Sequence, residues 1–389
     1  MRRALILSVL VGCAGGGSDD ELEDAGTAAA ESDSTGAGSS DGGTTGGSDT
    51  GTVDESSGST GGGLPPIDCT DACSDLASDA GIAICYACRC KSAMDGYLPS
   101  VEELQCSQAE ELTLYTADLS SGSAELVPLT GDSPDQCVNP ALLYETCGVG
   151  SRLGQMTVGD VHVKWVCRDP YGDGTEFADV GVIMHNTRNG ASCWFDDIDY
   201  VTTTDNLPDL DLMESDQENL DAYLERFYFT DGESCTRDCH GSDPFVYTPY
   251  FQGIQWETGA WVVGPHGRVT LDGSLAPVDA YHLVNPEVLP CASCHRVGST
   301  ASCDFLGPDA VGSYKTVAHE QAVIDAQDPM SDDWWLAFWM PSPLNAEKVP
   351  TRAAWEEQYG VAQQLIEQCC QAPGVATPEC MWEPIPPPN

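Results

Sequence analysis

Apolar and polar positions change rhythm several times along the 389-residue chain, and each rhythm predicts a different kind of structure. After Met1-Arg2-Arg3 comes an apolar run from Ala4 to Gly12, too short for a spanning helix of about 20 residues. From Ala14 to Pro66 the chain is Gly, Ser, Thr, Asp and Glu with hardly a large apolar side chain. Such a stretch buries too little surface to offset its ordering entropy, and its like charges extend it; it reads as a disordered acidic tether. Between residues 110 and 200 the period is two. Val161, Val163, Trp165 and Cys167 alternate with His162 and Lys164, a Pro-Tyr-Gly-Asp-Gly turn follows, and Asn189-Gly190 separates the runs 177–185 and 191–195. This predicts a meander of short strands. At 216–229 the period becomes helical, with Leu220, Tyr223, Leu224 and Phe227 on one face. It is helical again over 351–371, with Trp355, Tyr359, Ala362, Leu365, Ile366 and Cys369 on one face and Pro373-Gly374 as the stop.

The expected fold class is therefore α+β. Its parts are a signal and acylated Cys at 1–13, the linker at 14–66, a small Cys-rich helical unit at 67–109, a β-rich region at 110–212, and a mainly α region at 213–389.

Cysteine usage sets the compartment. The chain holds 19 Cys, a number that a reducing cytosol would not keep paired. Cys69, Cys73, Cys85, Cys88, Cys90 and Cys106 crowd the first folded stretch and read as disulfides. Cys85-x-x-Cys88-x-Cys90 is zinc-like in spacing, but no His lies nearby, so disulfides are the expectation there too.

The charge narrows the partners. The formal net charge is −47; the linker contributes 11 acidic residues and no basic one, and residues 67 onward keep 51 acidic against 13 basic. Nucleic acid and bare anionic membrane surfaces are thus disfavoured partners. The ending Leu10-Val11-Gly12-Cys13 resembles the lipobox of bacterial lipoproteins, which implies an acylated Cys13, a membrane anchor without a spanning helix, and a place in the cell envelope, periplasmic or on the outer-membrane surface.

The candidate chemistry lies near the C-terminus. Cys291-Ala-Ser-Cys294-His295 is C-x-x-C-H, the attachment signature of c-type haem. On one helical turn two thiols share a face and reach the two vinyl groups, while the next residue's imidazole reaches the iron. Cys235-Thr-Arg-Asp-Cys239-His240 repeats the design with one more spacer residue. Met340-Pro341, among Trp334, Trp335, Phe338 and Trp339, resembles the loop supplying the distal Met ligand in class I cytochromes c. Pro286 and Pro290 depart from that family, in which the segment before the motif is helix. For a second iron at His240 the nearest distal candidates are His266 and His282, with His319 further on. The single histidines His162 and His185 read as surface or satisfied core residues. The resemblance, which covers about 280–372, implies a cytochrome c-like C-terminal region carrying haem c, one group and a possible second.

Function then divides in two. The first reading is a lipid-anchored, extracytoplasmic c-type cytochrome transferring single electrons with a redox partner protein that has a basic docking face, a carrier rather than a catalyst, with peroxidase-like activity as a sub-case. The alternative is a cofactor-free, disulfide-stapled surface lipoprotein acting as a binding or structural module.

Overall fold

The computed structural model describes residues 67–118, 125–131, 148–171, 176–202, 207–213, 215–226, 231–238, 240–245, 264–292, 297–304 and 352–388. The linker, Cys13, Cys239, Cys294, His295, His319 and Met340 lie outside the described residues.

Helix α1 (Asp79–Ala93) starts at Ser78, whose hydroxyl accepts the Gly81 amide, and it carries Asp79 in its first turn and Lys91 in its last. Its seam of Ala83, Tyr86, Ala87 and Cys90 is fully buried. Two disulfides, Cys69–Cys88 and Cys73–Cys85, tie the preceding loop to it. Two more, Cys90–Cys193 and Cys106–Cys167, cross to the sheet. The zinc-like cysteines are thus all spent on disulfides, as expected, but only partly within their own unit.

The sheet is the centre of the molecule. Its short first strand is β1 (Glu110–Glu111); β2 (Tyr115–Asp118) and β3 (Glu125–Pro128) form a separate hairpin. The long strands β4 (Arg152–Val158), β5 (Val161–Tyr171), β6 (Glu176–Asn186) and β7 (Ala191–Thr202) follow as the expected antiparallel meander. Pro170 and Tyr171, expected in the turn, are still strand, and Tyr171 pairs with Glu176. Along β5 the residues Val161, Val163, Trp165 and Cys167 face the core, with Val180, Val182, Met184, Cys193 and Phe195 from the neighbouring strands. Helix α2 (Gln217–Arg226) packs Tyr223, Leu220 and Leu224 onto the same core, on its predicted face.

The chain then passes through α3 (Glu233–Asp238) and returns to the sheet. Strand β8 (Gly267–Val269) pairs parallel with β7 through Ala191 and Ser192, and β9 (Leu275–Pro277) adds the outer edge, giving the order β1-β4-β5-β6-β7-β8-β9. In the region after residue 213, expected to be mainly helical, the described residues comprise short strands as well as helices, and two of those strands extend the central sheet. The physical reason is that the short apolar runs around Val269 and Leu275 are flanked by turn-forming Gly264 and Thr270–Ser274, and they find an open edge at β7.

A second, smaller core closes the C-terminal part. β10 (Tyr281–Leu283) pairs with β11 (Trp382–Pro384), α4 (Leu289–Ala292) follows a single 3-10 turn at Pro286–Val288, and α5 (Arg352–Cys369) packs Ala362 and Ile366 against them. Pro286 and Pro290 sit in first turns, where the missing N–H costs nothing, so they are compatible with the 3-10 turn and with the start of α4. The disulfides Cys303–Cys370 and Cys369–Cys380 staple this core. Six disulfides among the described residues match an oxidising extracytoplasmic compartment. No helix among the described residues is long and apolar enough to cross a membrane.

Candidate functional site

The face of the sheet opposite the main core carries the polar alternates: His162 and Lys164 from β5, His185 from β6, Ser192 and Trp194 from β7. In a free meander this face would be wet. Here His240 and Phe245 lie over it, against Trp194 and against His185 and Lys164 respectively. Phe245 joins Leu112, Leu114 and Leu153 in a third apolar cluster, and the Lys164 ammonium stands 4.4 Å from the centre of its ring. Burial lowers the Lys164 pKa to about 7, although the nearby Asp243 carboxylate opposes this.

Cys235 stands in α3 and is buried. The His240 amide donates to the Cys235 carbonyl at 2.8 Å, which ties His240 to the end of α3. His240 Nδ1 lies 3.0 Å from the Pro244 carbonyl oxygen, to which only an N–H can bond, so the neutral ring carries its lone pair on Nε2. Its ring meets that of Trp194 edge-on, 4.9 Å between centroids. Trp194 can lie there because residue 232 is glycine: Gly232 has φ +73°, and a Cβ on it would fall 2.3 Å from the indole. Desolvation pushes the His240 pKa down to about 3, against the pull of the Pro244 hydrogen bond. The imidazole is therefore neutral at any physiological pH, which is the form that binds a metal.

Below His240 lies a buried cluster that the sequence did not suggest. His266 Nε2 is 2.9 Å from the His240 carbonyl oxygen, its Nδ1 is 3.2 Å from Ser192 Oγ, and Ser192 Oγ is 2.9 Å from His185 Nδ1. Burial drives the His266 pKa down to about 4 and that of His185 well below its ordinary value. Both ring nitrogens of His266 are occupied, so in this arrangement it is not a distal iron ligand. His185, expected to be surface or a satisfied core residue, is core with one nitrogen satisfied; its Nε2 meets no partner among the described residues. One signal for this cluster was legible: His185 and Ser192 flank the Asn189-Gly190 turn and are direct cross-strand partners.

The first motif begins in α4, where Cys291 is fully buried with Leu283, Val288, Ala362 and Ile366. Its chain leaves next to the second motif. The Ser299 hydroxyl donates to the Arg237 carbonyl at 2.9 Å, the Tyr281 amide to Gly298 at 2.8 Å, and the Ser242 hydroxyl to the Tyr281 carbonyl at 2.8 Å. A Cβ on Gly298 would lie 1.7 Å from Ser242 Oγ, so glycine permits this close approach. Tertiary structure thus brings the flanks of the two Cys-His segments together, although they stand far apart in sequence. His282 is buried on β10. Among the described residues, no group of three or more His, Cys, Asp or Glu is arranged to hold a metal ion.

A neutral imidazole whose Nδ1 is held by a carbonyl, as at His240, has its other nitrogen in the form that ligates a metal. Comparison of the chain with protein-family models, with curated proteins and with solved structures finds no match.

Proposed function

We propose that this protein is a lipid-anchored, extracytoplasmic c-type cytochrome that passes single electrons. Cys291, Cys294 and His295 would hold one haem, with Met340 as the expected distal ligand, and Cys235, Cys239 and His240 a second. The observation that carries the reading is the recurrence of the Cys-His motif together with the state of His240, a neutral ring whose Nδ1 is held by Pro244 and whose Nε2 bears the lone pair. When bound, haem supplies the one-electron Fe(III)/Fe(II) step, the electron arriving from one protein partner and leaving to another. The chain's own task is to fix the imidazoles, exclude water and set the potential by burial.

Anchoring through Cys13 would keep the protein at the envelope surface, the acidic linker serving as a tether. The folded body, with 51 acidic and 13 basic residues from residue 67 onward, suits a partner with a basic docking face. The competing reading is a cofactor-free disulfide module. It is favoured by the packing of Cys291 in an apolar cluster with Cys303, Cys369 and Cys380.

Expression in a host with cytochrome c maturation separates the two. Red protein with a sharp reduced α-band and the mass of one or two covalent haems supports the cytochrome. Colourless protein of unaltered mass sinks it, and a Cys294→Ala variant that keeps both thioethers overturns the assignment of the site to Cys291 and Cys294.

A further inference from the structure

The cluster beneath His240 has a direction that its chemistry dictates. His266 Nε2 faces a carbonyl oxygen, which only accepts, so Nε2 carries the ring proton. In the neutral ring Nδ1 is then a lone pair, and it accepts the Ser192 hydroxyl proton. With that proton committed, Ser192 Oγ accepts from His185 Nδ1–H. The chain therefore runs from His185 through Ser192 and His266 to the His240 carbonyl, and it ends at the far side in His185 Nε2, which meets no partner among the described residues. His185 and Ser192 are 0% exposed and His266 2%, so no solvent competes along it. The main chain braces it as well: the His266 amide donates to the Pro386 carbonyl and the Gly267 amide to Gly190, both at 2.9 Å.

We propose that Ser192 and His266 are positioning residues for His240: the His240 carbonyl fixes the His266 tautomer, the Ser192 hydroxyl satisfies the other ring nitrogen and holds the ring in place, His266 donates to the His240 carbonyl, and the peptide so held presents the His240 Nε2 lone pair as a preset metal ligand. The ligand role rests on the reading of His240 given above; the tautomer chain does not. Trp194 and the Pro244 carbonyl fix the ring itself, while His266 fixes the backbone from which it projects.

The two parts are tested separately. In uniformly 15N-labelled protein made without haem maturation, long-range proton–nitrogen spectra should show His266 as the Nε2–H tautomer and both His185 and His240 as Nδ1–H. His266→Leu should make exchange of the His240 Nδ1 proton between about two- and tenfold faster, the equivalent of one lost hydrogen bond. His266→Gln, whose amide can donate to the same carbonyl, should restore most of it, and Ser192→Thr should behave as wild type where Ser192→Ala does not. In the haem-loaded protein, His266→Leu should shift the low-spin electron paramagnetic resonance signal and the midpoint potential of the His240 haem.

His266 found as Nδ1–H, or a His240 ring whose exchange ignores His266→Leu, overturns the proposal. If the Leu variant does not fold, the wild-type tautomers and the Ser192 pair still decide. Correct tautomers in a protein that takes up no haem at His240 overturn the ligand role and leave the chain as a brace. A haem at His240 indifferent to His266→Leu overturns the positioning alone.

Discussion

Tyr86→Phe removes one oxygen atom and should cost more than its size suggests. Tyr86 is 1% exposed on α1, and its hydroxyl does two things for one residue of β7: it accepts the Trp194 amide at 2.8 Å and donates to the Trp194 carbonyl at 3.0 Å. β8 pairs with β7 only at Ala191 and Ser192, so beyond that point the phenol takes the place of a neighbouring strand. Burial holds its pKa well above the usual range, which keeps it a donor even in alkali. Phenylalanine preserves the ring and its edge contact with Phe195, 5.5 Å between centroids. It leaves a buried N–H and a buried C=O without a partner. At about 1–3 kcal/mol for each such group, and less for a carbonyl with a second lone pair, the expected loss is about 2–4 kcal/mol. Urea unfolding with the disulfides intact, followed by tryptophan fluorescence and far-ultraviolet circular dichroism, should show a lower midpoint at unchanged slope. Tyr97→Phe is the control. Its hydroxyl reaches the thioether sulfur of Met156 at 3.1 Å, a weak acceptor, and the Glu103 carboxylate, but Tyr97 is only part-buried, so water can replace the lost partners and the change should cost under about 1 kcal/mol. Equal losses in the two variants, or a Trp194 amide that exchanges no faster in Tyr86→Phe, would refute the reasoning.

Three further outcomes are expected. Replacing both Cys90 and Cys193 by Ala opens a bridge across 103 residues; loop entropy alone assigns about 4–5 kcal/mol, and with Cys106–Cys167 still closing part of the loop about 2–4 kcal/mol should be lost by urea midpoint. Gly190→Ala should destabilise by more than Gly131→Ala: both have positive φ, +80° and +93°, but a Cβ at 190 lies 2.4 Å from the Pro265 carbonyl oxygen, whereas at 131 nothing lies within 4 Å. A difference below about 0.5 kcal/mol would remove the steric argument. Acid should loosen the protein early: desolvation keeps folded His185 from taking a proton that the unfolded chain binds below about pH 6.5, so stability falls as pH drops below that value, by up to about 1.4 kcal/mol per pH unit for this site. His185→Gln should flatten the slope between pH 7 and 5; an identical slope would reassign the effect.

Much of the fold could be read in advance because it depends on local periodicity. The β5 alternation, the α2 face through Leu224 and the α5 face from Ala362 to Cys369 hold in the structure, since a side chain's face follows from backbone geometry alone, while Phe227 and the Trp355 and Tyr359 side chains lie outside the described residues. The cysteine density foretold an oxidising compartment for the same kind of reason: it is a count. The parallel strand β8 was not legible, because three residues carry no period and their pairing depends on an edge left open by chains far away in sequence. The reach of Cys90 and Cys106 across to β7 and β5 was equally hidden, since spacing does not determine which thiols meet.

The site divides along the same line. The sequence by itself marked which residues are candidates for holding a haem: Cys235, Cys239, His240, Cys291, Cys294 and His295 stand in motifs whose spacing is a local property of the chain. Only the tertiary structure decided that the polar face of β5 to β7 is not solvent but the floor under His240, that Ser299 meets Arg237, and that His266 serves a neighbour's carbonyl and is not a ligand candidate. The reason is physical. A hydrogen bond between His185, Ser192 and His266 needs three strands in register and a loop excluding water, and no window of the chain contains all of these at once.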